Sequence, residues 1–74
     1  MNPAFRAIED PQVTRIPVPD HLAIYDHTFA VLSVRSRRVV STHRTYNQAL
    51  EEARRLGYGV ASAVNAEGFV EVVL

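Results

Sequence analysis

Arg35, Arg37, Arg38 and Arg44 crowd one polar stretch and the segment that follows it, and Arg54 and Arg55 stand side by side further on. A guanidinium presents a planar fork of donors that pairs bidentately with a carboxylate or a phosphate, so this pattern suits gripping anionic groups rather than making or breaking bonds. Two partner classes fit. One is an acidic protein surface, since arginine is enriched at protein interfaces; the other is a nucleic acid, contacted mostly through its backbone. The plain alternative is a solvated turn that keeps a hairpin tip in water. Formal net charge is zero, so the chain lacks the bulk positive field that nucleic-acid binders exploit, which favours the protein partner.

Histidine and serine offer less. His21, His27 and His43 accompany Asp20 and Asp26, but neither a helical HxxxH nor any other tight ligand spacing is present, and Asp-His pairs at loop positions commonly form turns. No metal and no cofactor is expected. Ser33, Ser41 and Ser62 alternate with apolar neighbours inside predicted strands instead of standing on a strand-to-helix elbow, and there is no Gly-rich phosphate loop. Glu51 and Glu52 are neighbours on an exposed helix face and cannot converge as an acid/base pair. The expectation is a non-enzyme with no catalytic residues.

The elements that must position these side chains are legible. Thr45-Tyr46-Asn47-Gln48 has the capping-box spacing, after which Tyr46, Ala49, Leu50, Ala53 and Leu56 recur on one stripe at a helical period. Glu51 and Glu52 precede Arg54 and Arg55, in the order that opposes the macrodipole and lets Glu51 pair with Arg55, and Gly57 supplies a left-handed cap. Phe29–Val34 and Val39–His43 read as strands around the polar turn Arg35-Ser36-Arg37-Arg38. Tyr58–Val64 and Phe69–Leu74 read as a second hairpin around Asn65-Ala66-Glu67-Gly68. His21–Tyr25 is a further candidate strand. Residues 1–20 hold all four prolines and are expected to form an extended arm, in which Val13–Ile16 is a candidate edge strand. The predicted organisation is therefore an arm over 1–20 and a single α+β domain over 21–74, a small antiparallel ββαββ sheet with one helix packed on one face.

Both faces of that sheet are apolar. A single short helix covers one, so Ala30, Leu32, Val34, Val70, Val72 and Leu74 are assigned to a second face that the arm, a second copy or a partner protein must cover. With 74 residues and no cysteine, the chain has a modest core and neither disulfides nor thiolate metal sites to supplement it, so a homodimer is expected. No apolar run of signal-peptide or membrane-spanning length is present, and the expectation is a soluble, cytoplasmic chain without membrane contact. Basic residues that are all arginine, with abundant Ala and Val, point to a GC-rich bacterial or phage genome.

Phe29-Ala30-Val31, Ser41-Thr42-His43-Arg44-Thr45, Ala49 with Ala53-Arg54, and Glu67-Gly68 together resemble a family of short uncharacterised bacterial proteins with an aromatic-Ala-Val strand, an S-x-H-x-T helix start and a D/E-G hairpin. The resemblance covers about residues 29–72 and implies a ββαββ fold with no known activity. The chain departs from that family in having no lysine, in ending in a strand and in carrying the N-terminal arm. The functional expectation is a small, dimeric, non-catalytic interaction protein that binds and modulates a host or partner protein through Arg35, Arg37, Arg38 and Arg44. The alternative is a nucleic-acid-binding accessory or regulatory protein using the same hairpin arginines.

Overall fold

The computed structural model describes residues 13–73 and shows one α-helix and five strands in two small antiparallel sheets. The strands are β1 (Thr14–Pro17), β2 (Phe29–Ser33), β3 (Arg38–His43), β4 (Gly59–Ala63) and β5 (Phe69–Val72); the helix α1 is Tyr46–Leu56. One sheet has the order β3-β2-β4 and the other is β1-β5.

The helix forms as its sequence dictates. The Thr45 hydroxyl accepts from the Gln48 amide at 3.2 Å, and Gly57 takes a left-handed φ of 81° while its amide closes on the Ala53 carbonyl. A Cβ on residue 57 would make that conformation costly, which is why the stop falls there. The ion pair on the outer face joins Glu52 to Arg55, one helical turn apart, rather than Glu51 to Arg55.

Within the three-stranded sheet the two faces go to different partners. Val31 packs with Ala49 and Ala53 of α1, joined by Phe29, Leu56 and Ala61. Ala30 and Leu32 point the other way and pack with Ile16, Val39 and Val70, flanked by Val18, Leu22, Val64 and Val72. Residue 40 is the reason Val39 and Thr42 share that second face. Opposite Val31 stands Ser41 but opposite Leu32 stands Val39, so Val40 is a bulge, and the extra residue turns two positions of unlike parity to the same side.

Two expectations are corrected. Tyr58–Val64 and Phe69–Leu74 do not pair as a hairpin: β5 leaves the plane of β4 and pairs with β1, with Ile16 opposite Val70 and Arg15 opposite Glu71. The physical reason is burial, since folding over the sheet carries Ile16 and Val70 onto Ala30 and Leu32, which a fourth in-plane strand would leave open to water. His21–Tyr25 is not a strand; Asp20–Leu22 form one turn of 3-10 helix after Pro19, closed by Leu22 N–H to the Pro19 carbonyl and Ala23 N–H to the Asp20 carbonyl. The candidate edge strand at Val13–Ile16 does form, as β1 over Thr14–Pro17, and Val18 beyond it donates its amide to the Gly68 carbonyl. Residues 1–12 and Leu74 lie outside the described residues.

The face assigned to a partner is accordingly closed from within. Ala30, Leu32 and Val70 have no exposed surface, Val72 is half-buried against the same cluster, and Val34 alone of the assigned set described here is exposed, at 41%.

Candidate partner-binding surface

The β2–β3 turn and the C-terminal end of α1 lie at the same end of the molecule. Ser33 at the end of β2 stands opposite Gly59 at the start of β4, and the Val34 amide donates to the Tyr58 carbonyl, so the turn after β2 is tied to the segment that leaves the helix. Arg35, Arg37 and Arg38 from the turn and Arg54 and Arg55 from the last helical turn therefore share one end. The Arg35 guanidinium stacks on the Tyr58 ring at 4.6 Å. Arg55 is paired with Glu52, and its guanidinium holds the Glu52 carboxyl below the ordinary carboxylate range by direct hydrogen bonding. Among the described residues, Arg37, Arg38 and Arg54 enter no ion pair.

Arg37 is set apart by its backbone. Its φ is +57°, the only left-handed non-glycine residue among those described, and its amide donates to the Ser33 carbonyl at 2.8 Å while the Ser33 hydroxyl accepts from the Ser36 amide. Glycine or asparagine ordinarily fills such a position, because a Cβ there crowds the following carbonyl.

Arg44 does not join this group. It lies past the far end of β3, on the order of 20 Å away at the rise of an extended strand, and is held at 2.7 Å by Asp26. That end is acidic. Asp20, His27 and Glu67 line one open pocket of about 490 Å³ with Ile24, Tyr25 and Phe69. Arg15 bridges Glu67 and Glu71 from β1, and its guanidinium lies over the Phe69 ring at 4.5 Å. Among the described residues the charge is thus separated, with arginines in excess at the turn end and carboxylates in excess at the other.

The histidines are anchored rather than gathered. The Thr42 hydroxyl donates its one hydrogen to the Leu22 carbonyl at 2.8 Å, so at the 3.1 Å contact between Thr42 and His27 the imidazole Nδ1–H must be the donor. His27 Nε2 then faces Asp26 at 3.8 Å. His43 Nε2 meets the Ser41 hydroxyl at 2.9 Å, two residues along the outer strand β3. Residues i and i+2 of a strand share a face, which brings these two side chains together. Among the described residues no cluster of His, Cys, Asp and Glu is arranged to hold a metal ion, and no helix is long and apolar enough to cross a membrane.

No family model matches the chain, and neither a curated protein nor a solved structure matches it. The likeness noted over residues 29–72 rests mostly on cap, core and turn positions, which any fold of this kind favours.

Proposed function

We propose that this chain is a small non-catalytic binding protein whose arginine-bearing end docks on an acidic surface of a protein partner, the arginine-only composition fitting a bacterial or phage source. The observation that carries the reading is Arg37. A large charged side chain occupies a left-handed turn position that glycine would fill at lower cost, at the centre of a group of arginines of which Arg55 alone has an acidic partner among the described residues. Guanidinium groups on a tight turn reach beyond the fold while the backbone that carries them is fixed, which reduces the entropy lost on docking. Arg44, spent on Asp26, is not part of the surface.

Arg37→Gly tests this directly. Glycine relieves the left-handed backbone, so thermal stability is expected to hold or rise. Binding to an acidic probe, a glutamate-rich peptide titrated at low salt, is expected to weaken several-fold. Equal binding by wild type and the glycine variant would remove Arg37 from the surface and leave a solvated turn.

The second reading, a nucleic-acid accessory protein, has one observation in its favour: Tyr58 beside Arg35 supplies an aromatic face near the charges. A single-stranded 20-mer oligonucleotide titrated in parallel separates the two. Tighter binding to it than to the acidic peptide, with a steep loss in salt, would favour the nucleic acid.

A further inference from the structure

We infer that the outer edge of β4, with the groove between it and α1, pairs antiparallel with the same edge of a second copy of this chain. Among the described residues β4 ends its sheet, with β2 on one side and no strand on the other. Its sequence, Gly59-Val60-Ala61-Ser62-Ala63, has no charge, no proline and no bulge, the devices by which free edges are ordinarily blocked. The opposite edge, β3, carries both a bulge and Arg38.

The groove beside β4 is lined by Tyr46, Leu50, Ala53, Arg54, Gly57, Gly59, Val60 and Ala61, and its helical wall is Tyr46, Leu50 and Arg54, four residues apart on one stripe. Tyr46 and Leu50 belong to the apolar stripe of the helix, yet the core takes Ala49 and Ala53 and leaves Tyr46 47% exposed and Leu50 half-buried.

Two-fold symmetry makes this surface self-complementary. An axis through Ala61, the middle of β4, joins the two sheets into one of six strands and sets both helices on the same face. Gly59 stands against Ala53; Ala61 is then about 7 Å along the strand and Leu50 about 4.5 Å along the helix in the same direction, so the axis passes near Leu50. Leu50 meets Leu50 of the second copy, and Tyr46 and Arg54, equally spaced on either side, meet as aromatic and guanidinium across the axis. Because α1 packs on Val31 of β2 and Ala61 of β4, its axis lies about one strand spacing from the two-fold, which puts the helices roughly 10 Å apart, a normal packing distance.

Charge agrees with this occupant. Antiparallel pairing lays the arginine end of each copy beside the end of the other that bears Asp20, Asp26 and Glu67, whereas a parallel pair would set like charges together. Arg37 and Arg38, on the β3 side of the turn, stay clear of the contact.

The test is sedimentation of the full chain across micromolar to millimolar concentration, with Leu50→Lys and Leu50→Glu variants alone and mixed. The wild type is expected to be a dimer, each variant a folded monomer by circular dichroism, and the mixture a dimer again because the opposite charges meet at the axis. Intermolecular NOEs between β4 of labelled and unlabelled copies give a readout that survives if a variant fails to fold. A wild type that stays monomeric overturns the proposal, as does a dimer without β4–β4 NOEs or one in which residues 1–12 of the same chain occupy the edge.

Discussion

Gly59 stands against Ala53 so closely that a Cβ on the glycine would lie 2.9 Å from the Ala53 Cα and 3.1 Å from a Val31 methyl. The helix rides on the sheet chiefly through small residues, Ala49 and Ala53, with Leu56 packed beside them and Leu50 carried to the flank. Gly59→Ala is therefore expected to push α1 outward and to destabilise the chain by about 1–3 kcal/mol, as overpacking does. Chemical denaturation checks it; an unchanged midpoint would mean the helix has room to move.

The strand that closes the second face carries comparable weight. Ile16 is 6% exposed and packs on Ala30, Leu32 and Val70. Ile16→Ala should cost about 2–5 kcal/mol, a large share of the stability of a domain this small. A loss under about 0.5 kcal/mol, within the range of surface substitutions, would show that β1 contributes no core.

Thr42 satisfies two groups at once, accepting from His27 and donating to the Leu22 carbonyl from a site 8% exposed. Thr42→Val keeps the shape but leaves the carbonyl and the imidazole N–H short of a partner, at an expected cost of about 1–3 kcal/mol. Nitrogen shifts of the His27 ring should report the Nδ1–H tautomer in the wild type and a mixture in the variant.

Glu52 gives a pH dependence of known sign. Its folded-state pKa is lowered from the ordinary 4.5 by the hydrogen bond from Arg55, so the stabilisation is full above that ordinary value and is lost as pH falls through the lower, folded value. Glu52→Gln should melt slightly below the wild type at pH 7, with the difference closing in acid. A gap that stays constant into acid strong enough to protonate every carboxylate would have another cause, such as altered helix propensity.

The helix from Thr45 to Gly57, the β2–β3 hairpin and the Gly68 turn were legible because each is signalled locally, by a cap, a period or a residue suited to positive φ. What sequence could not reach was which apolar surfaces meet. Val70 and Val72 alternate with Glu71 as in-plane strand residues would, and only the pairing of β5 with β1 turns that pattern onto Leu32. Leu50 reads as core, but alanines dock the helix so closely that the larger side chain is carried to its flank. Val40 shows no sign of a bulge until its neighbours are paired. For the same reason Arg44 looked like one of the hairpin arginines, although a whole strand separates them and Asp26 holds it.

The central claim is that binding resides at the end formed by the β2–β3 turn and the C-terminus of α1. An amide-shift titration of the labelled full chain with a glutamate-rich peptide tests it most directly. The account predicts shifts confined to residues 34–38 and 54–58, lost in Arg35→Ala/Arg37→Ala/Arg38→Ala with thermal stability nearly unchanged. Shifts centred on residues 20–28 and 64–68, or spread evenly over the surface, would contradict it.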